Sequence, residues 1–503
     1  MKAIYQNGTA APCPSSFNLA GYVLQAGHLT PEKTALAVLS MSGARRIRYA
    51  ELQQSVLGVA TGLLATGAIP GDRVLLRLGN TPEFPIAFLG AIAAGLVPVP
   101  TSSQLTQSEV DAVAAQIEPA IILASDGVTV PTQSGATVLP VQTLNEMHEN
   151  PPARIAQTQA DDPAYIVFTS GTSGAPRAVV HAHRAVWARR MMWDGWYGLQ
   201  ASDRLLHAGA FNWTYTLGTG ILDPWAIGAT ALIPAPGITA DHLPLLLKRH
   251  DATIFAAAPG VYRQILKHDV PPLPKLRHGL SAGEKLPDST RKDWRRATGC
   301  EVYEAFGMSE CSTFISSAPP NPVTGHSLGR PQPGRHVAII DAGEAVEIGD
   351  EGTIAVHKDD PGLMLGYLGH PEETAAKFSG SWFLTGDRGA MDADGMVTYL
   401  GRADDMMNAG GFRVSPLEVE AAFSNCPGIT DCAAIEMEVR PDVRVVALYF
   451  SAPEPLDEAD LKNWGAAKLA RYKQPRVFCQ IDAMPRSANG KLLRKSLPRR
   501  PAD

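Results

Sequence analysis

Cysteine is scarce in this chain: six in 503 residues, at Cys13, Cys300, Cys311, Cys426, Cys432 and Cys479. No two have the close spacing of a zinc knuckle or a redox motif, so reduced thiols in a cytoplasmic protein are expected. Long apolar runs are also missing. The most apolar stretch, Ile86 to Val97, is bounded by Pro85 and Pro98 and is too short to span a bilayer. A buried helix running into a buried strand accounts for it better. Charge is modest, with 19% charged residues, a net charge of -6 and no long basic run. That removes nucleic acid and an anionic membrane surface as default partners. The first thirty residues carry one lysine, Lys2, no arginine and no continuous apolar core, so neither a signal peptide nor an Arg-rich transit peptide is expected.

What remains is a globular composition, 45% hydrophobic, in a chain too long for one ordinary core. The first half alternates helical and strand patterns. Tyr49 to Thr66 reads as an amphipathic helix, Asp72 to Leu78 as a strand, Pro82 to Gly95 as a helix and Val97 to Pro100 as a strand. Gln107 to Gln116 then reads as a helix, and a strand begins at Ile121. This rhythm predicts an α/β fold with largely parallel sheets. The polar, proline-containing stretch from Asn150 to Pro163 reads as a surface loop. From His326 to Tyr399 short strand-like runs alternate with Gly, Pro and Asp, which predicts a small β-rich subdomain over 326–400, a barrel being one form it can take. A boundary is expected between 401 and 405. Past it, Ser415 as N-cap, Pro416 at N1 and Glu418 at N3 predict a capping box. The remaining residues suffice for a small α+β domain, with a helix over Leu461 to Leu469 and a strand over Val477 to Ile481.

The apolar run Ala164 to Phe168 leads into Thr169-Ser170-Gly171-Thr172-Ser173-Gly174-Ala175-Pro176-Arg177. Small residues let backbone N–H groups approach an anion, hydroxyls add donors and Arg177 adds positive charge, a composition suited to a polyphosphate. No Gly-Lys-Ser/Thr ends it, so it is not a Walker A loop; a plain Gly/Ser turn is the alternative.

The loop resembles the signature of the adenylate-forming superfamily of acyl-CoA synthetases, carrier-loading adenylation domains and luciferases. The resemblance recurs in order. Gly283-Glu284-Lys285-Leu286 resembles the adenine-contact segment, and Tyr303-Glu304-Ala305-Phe306-Gly307-Met308-Ser309-Glu310 the central motif. Thr385-Gly386-Asp387 resembles the ribose motif, Gly401-Arg402-Ala403-Asp404-Asp405 the hinge motif, and Pro485 to Lys491 the C-terminal catalytic motif. Ordered matches from Thr169 to Lys491 are far more specific than any one of them.

The resemblance implies a large N-terminal domain over 1–402, a mobile C-terminal domain over 405–503, and a hinge at Ala403 and Asp404. It implies ATP, coenzyme A and Mg²⁺ as cofactors. Thr169, Ser170 to Gly174 and Arg177 would hold pyrophosphate. Gly283, Glu284, Lys285, Glu304, Ala305 and Phe306 would line the nucleotide. Ser309 would contact the α-phosphate and Glu310 would bind Mg²⁺. Asp387 would accept from both ribose hydroxyls, and Arg402 would contact ribose or phosphate. Lys491 would bridge the carboxylate and the α-phosphate, and Gly410 and Gly411 would admit the pantetheine arm. These roles suit the chemistry. A carboxylate is a poor electrophile until transfer to AMP neutralises it and supplies a leaving group, and positioned cations stabilise the charge gathered at phosphorus.

Arg177, Phe306 and Ser309 depart from the commoner Lys, Tyr or Trp, and Thr, each keeping a cation, a flat apolar ring or a hydroxyl. Within Trp193 to Pro234, Asp194-Gly195-Trp196, Leu199 to Asp203 and Asp223 to Ala229 resemble medium-chain acyl-CoA synthetases, as does Arg471 to Arg476. The implied reaction is acyl-CoA formation from a short- to medium-chain or small aryl acid in fatty acid metabolism. Loading of a carrier protein is the alternative, and a non-catalytic nucleotide binder a third reading. Phe211, Trp213, Tyr215, Ala258, Gly283 and Met308 are candidate walls of the acyl pocket, with ordinary core as the alternative for the aromatic ones. No cation lies in Gly209 to Leu217, Ala256 to Gly260 or Ser281 to Gly283, so a small monocarboxylic acid with an apolar tail is expected. The chain is expected to be a monomer or homodimer. His181 and His183 are not expected to bind metal, and Arg189-Arg190, Arg295-Arg296 and Arg499-Arg500 are read as solvated. Arg494 and Lys495 are a weak candidate contact for CoA phosphates.

Overall fold

The structure, a computed structural model, describes residues 1–6, 8–169, 176–320, 322–323, 327–403, 405–409, 412–440, 443–469, 471, 473–487 and 490–498. Its backbone is a mixed 16-stranded sheet. Six parallel strands form one half in the order Thr34–Leu39, Thr230–Pro234, Arg204–His207, Ile254–Ala257, His278–Ala282 and Val302–Met308. Ser312–Ser316 then turns back antiparallel and hands the sheet on to Ser327–Pro331, Val397–Arg402, Trp382–Met391, Glu351–His357 and His336–Asp341.

The β-rich stretch is therefore not a sheet of its own. It continues the parallel half through one hairpin, and its described strands run as an open ladder, not a closed barrel. Two further sheets complete this part. One is parallel, Val97–Pro100, Arg73–Arg77, Ile121–Ala124 and Thr137–Pro140. The other is antiparallel, Gly366–Tyr367, Arg177–Ala182 and Pro163–Thr169.

The helices follow the apolar periodicity. Tyr49–Ala65 buries Leu52, Val56, Val59 and Leu63 against the helix Glu83–Ala93, which is buried along its whole length. Gly90 lets these two backbones close, since a Cβ there would sit 2.6 Å from Val59, while Gly58 and Gly62 make room for Met147 and His148 on another side of the first helix. None of the helices among the described residues is long and apolar enough to cross a membrane.

After residue 405 a separate core forms from Val414, Val419, Phe423, Val446, Leu448 and Leu461. The sheet beneath it is Asp431–Arg440, Val443–Ser451 and Val477–Gln480. Asn408 and Ala409, expected in a loop, lie in the strand Met407–Ala409, paired with Phe412–Val414.

The helix Pro416–Phe423 starts where expected, with Pro416 at N1, yet the capping box is not made. The Ser415 hydroxyl donates to the Leu400 carbonyl, and Glu418 accepts instead from Lys473 Nζ at 2.8 Å. Both side chains are drawn off by partners distant in sequence. Ser415 thereby ties the start of this body to the strand before it.

Candidate functional site

The central motif ends the strand Val302–Met308. A bulge falls between Phe306 and Gly307, where a Cβ on Gly307 would lie 2.2 Å from the Ser312 carbonyl oxygen. Ser309 and Glu310 therefore stand at the tip of a tight hairpin, with Ser312 at φ +65° closing it. His181, buried on the strand Arg177–Ala182 of the antiparallel three-stranded sheet, donates from Nε2 to the Ser309 carbonyl at 2.7 Å. Burial lowers its pKa to about 4, so the ring is neutral.

Glu310 accepts from the Tyr367 hydroxyl at 2.8 Å, and its carbonyl receives Met364 N–H at 2.7 Å. Arg177 lies beside the Tyr367 ring and pairs with Glu373 at 2.8 Å. Thr169 and Arg177 face one another across the ladder, so the ends of the Gly- and Ser-rich loop are brought together. Ser170, Gly171, Thr172, Ser173 and Gly174 themselves lie outside the described residues.

Asp387 belongs to the strand Trp382–Met391 and is buried. Its carboxylate accepts from Tyr399 OH at 2.9 Å and lies 3.4 Å from Arg402 Nη1. Gly386 at φ +81° makes the turn. The Tyr399 ring also meets Phe306, 5.4 Å between centroids, so the Phe306 ring and the Asp387 carboxylate are joined through one tyrosine. Burial, opposed and supported by charges on Glu310, Arg402, Arg177 and Asp387, lowers the pKa of Lys377.

Glu304 behaves differently. It is 1% exposed and already receives Lys285 Nζ and Arg291 Nη2 at 3.0 Å each and Leu286 N–H at 2.9 Å. Lys285 spends its charge there too, so this pair builds the floor under Gly283 and Ala305. Gly283, at φ +96°, lies against Trp213; a Cβ would be 2.4 Å from the indole. Of the candidate acyl walls, Trp213, Gly283 and the half-buried Ala258 line the ends of successive segments. Phe211 is sunk against Phe84, and Tyr215 gives its hydroxyl to the Leu280 carbonyl at 3.0 Å. Met308 packs with Phe314 and Val167 in another cluster.

Lys491 is exposed at the end of a turn in which Ser487 N–H bonds the Lys491 carbonyl and Lys491 N–H bonds Ser487 Oγ. Arg486, in the same turn, lies 3.6 Å from Glu284 of the Gly283 loop. Asp404, Gly410 and Gly411 fall outside the described residues. No group of three or more His, Cys, Asp or Glu among the described residues forms a metal cluster. A lone carboxylate such as Glu310 nonetheless suits Mg²⁺, which keeps waters and takes most of its protein-side charge from one or two carboxylates plus phosphate.

Sequence reasoning missed Tyr367, Tyr399, Lys377 and Arg486, which no motif reading singled out, and it misplaced Arg189. Read as solvated, Arg189 is buried and donates to Asp223 in two-pronged fashion, to Tyr197, to Thr219 and to Ser312 Oγ at 2.6 Å. Only its neighbour Arg190 is exposed. Burial pushes the Asp223 carboxyl up, and Arg189 opposes the shift. This network lies directly under the Ser309–Glu310 hairpin. Arg494 is likewise committed, to Glu420 at 2.6 Å. The one available signal was that Asp223 opens a segment resembling known ligases and Arg189 lies just before the region that holds it.

Residues 24–368 match the AMP-binding enzyme family, and residues 418–491 match the AMP-binding enzyme C-terminal domain. A benzoate–CoA ligase of Thauera aromatica is 30% identical, over 89% of this chain and 90% of its own. The human mitochondrial acyl-coenzyme A synthetase ACSM2A is 29% identical, over 96% and 91%. The crystal structure of ATP-bound MatB from Rhodopseudomonas palustris superposes with a TM-score of 0.87 at 26% identity, covering 95% of this chain and 97% of that one.

Proposed function

The chain belongs to the AMP-binding enzyme family, and from that premise we propose that it converts an aromatic or medium-length aliphatic monocarboxylic acid into its coenzyme A thioester by way of an acyl-adenylate. It is an AMP-forming acid–thiol ligase that consumes ATP and coenzyme A. In the first half-reaction a carboxylate oxygen attacks the α-phosphorus, the bond to the bridging oxygen breaks and pyrophosphate leaves. In the second, the CoA sulfur attacks the acyl carbonyl, the thiol proton is lost and AMP leaves.

The residue roles belong to the same proposal, and the geometry supports them. Arg177, held beside Tyr367, closes the loop that cradles pyrophosphate. Ser309 meets the α-phosphate from a hairpin tip fixed by His181. Asp387, oriented by Tyr399, takes the ribose hydroxyls, and Phe306 faces the adenine. Glu310 would hold Mg²⁺, which when bound neutralises charge on the phosphate oxygens. Lys491 supplies the cation that draws carboxylate and phosphate together. Such groups act by preorganisation, aimed where charge develops. Gly410 and Gly411 would border the pantetheine path after rotation about Ala403 and Asp404, between a domain over 1–402 and one over 405–503. A cytoplasmic location fits these reactants.

The observation that supports the reading best is the contact of Arg486, in the turn that presents Lys491, with Glu284 of the Gly283 loop at 3.6 Å. Two motifs 200 residues apart in the chain come together beside the central motif's strand. The acid's apolar character is supported by the aromatic, cation-free segments around Trp213 and by the substrates named for the benzoate and acyl-CoA relatives.

Pyrophosphate release from Mg-ATP, measured across acetate to decanoate and a set of benzoates, with and without coenzyme A, tests it. The expected result is CoA-dependent turnover confined to one window of acids. Turnover only with a carrier protein's pantetheine arm, or ATP binding with no adenylate from any acid, overturns it.

A further inference from the structure

Between the body that carries the central motif and the body that carries Lys491 lies a chain of four charges. Arg263 projects from the helix Pro259–Ile265, and Glu284 follows Gly283 at the end of His278–Ala282. Asp431 opens the strand Asp431–Arg440, and Arg486 pairs with Leu492 across the turn that presents Lys491. Within the C-terminal body the contacts are short: Arg486 donates to Asp431 at 2.7 Å and to the Gly490 carbonyl at 2.8 Å. Across the junction they are longer, 3.6 Å from Arg486 to Glu284 and 3.8 Å from Arg263 to Asp431. All four side chains keep between 21% and 29% of their surface exposed.

Resting on the role given to Lys491 above, we propose that Arg263, Glu284, Asp431 and Arg486 form a clasp that holds the C-terminal body in the orientation delivering Lys491 for adenylation. Arg263, Asp431 and Arg486 are positioning residues for that half-reaction.

The arrangement fits a fastening that opens. Arg486 is built into the Lys491 turn by its bond to Gly490, one residue before the lysine, so whatever holds Arg486 holds the lysine. Its second contact, Asp431, is preassembled on the same body. The cross-junction partners follow neighbouring parallel strands, Glu284 in a loop and Arg263 on a helix, and so present a fixed pair of opposite charges. Two guanidinium groups balance two carboxylates, so the clasp does not depend on the Lys491 charge. Burial pushes the Glu284 carboxyl up while Arg486, Arg263 and Lys491 hold it down, so the acid profits from the docked body. Longer, half-wet pairs are individually weak, which lets rotation break them without trapping the enzyme in one state.

The test separates the half-reactions in the full-length protein. Adenylation is read as pyrophosphate release from acid and ATP without coenzyme A. Thioester formation is read from supplied acyl-AMP and coenzyme A. Arg263→Ala and Asp431→Asn should each slow adenylation by about three- to tenfold, through kcat and not the KM for ATP, as loss of a partly screened pair predicts. Thioester formation should hold or rise. Arg263→Lys should recover most of the rate, and the Arg263→Ala/Asp431→Asn double variant should be no slower than the worse single. Equal loss of both half-reactions, or no change in either, in variants with an unchanged thermal midpoint overturns the clasp. Lys491→Ala run beside them separates the two ideas. If it leaves adenylation intact, the role of Lys491 itself is wrong. If it slows adenylation while the Arg263 and Asp431 variants do not, only the clasp is wrong.

Discussion

Ion pairs serve two ends in this chain, and where they sit decides which. Inside the large body, Arg189–Asp223 and Arg335–Asp360 are sealed from water, with short contacts, three further hydrogen bonds on the Arg189 guanidinium and one on that of Arg335. Arg335 also reaches the Thr313 carbonyl, so both pairs brace the hairpin that carries Ser309 and Glu310. At the junction, Arg486–Glu284 and Arg263–Asp431 are longer and a quarter exposed. A sealed pair cannot be exchanged for water without stranding a charge, so it fixes geometry. A wet pair can, so it holds a position only while that position is useful.

Breaking an interior pair should have the largest effect. Asp223→Ala strands the Arg189 guanidinium in the core and should cost about 3–5 kcal/mol, read by chemical denaturation. A loss below about 1 kcal/mol would mean that water already reaches the pair. Next comes Lys491→Ala, which should slow adenylation on the order of 100-fold or more while sparing thioester formation from supplied acyl-AMP, without moving the thermal midpoint. Equal loss of both steps would remove its assigned role.

Acid probes the same contrast more gently. His181, His183 and His278 are buried with pKa values lowered to about 4, and His207 to about 3, chiefly by desolvation. Between pH 6.5 and 4 the unfolded chain takes up protons that the folded chain refuses. Stability is therefore full above pH 6.5 and falls as pH drops through that window, by up to about 1.4 kcal/mol per pH unit for each histidine. Thermal midpoints at pH 7.5 and about 5 check the sign, and His207→Asn should flatten the slope. The smallest effect is expected from salt. Raising ionic strength from about 0.05 to 0.5 M should slow adenylation a few-fold through the junction pairs and leave the thermal midpoint nearly still, since sealed pairs are not screened. A midpoint that fell in step with the rate would erase the distinction.

Much of this was readable beforehand, in an uneven way. The alternating helices and strands from Tyr49 to Ala124 fall where apolar periodicity placed them, because burial of one face is a local property of the sequence. The β-rich stretch was legible as strands. Its continuity with the parallel sheet was not, since the link is a hairpin at Met308–Ser312 whose register depends on a glycine meeting a carbonyl. Glu304 and Glu310 stand in one motif and look alike in sequence. In space one is saturated by Lys285, Arg291 and Leu286, while the other receives Tyr367 and faces the Arg177 side.

The sequence by itself determined the reaction class, the order of the motifs and the residue types that adenylate chemistry requires, because ordered motifs from Thr169 to Lys491 constrain chemistry more tightly than any single one. The tertiary structure alone decided which charges are spent internally and which stay available. Ser415 abandoned its capping role for Leu400, Arg189 went inside to Asp223, and Arg486 came to link the Lys491 turn to Glu284, more than 200 positions away in the chain. A charged side chain's fate depends on the partner that folding brings to it, and on whether water can reach both, which local sequence does not encode.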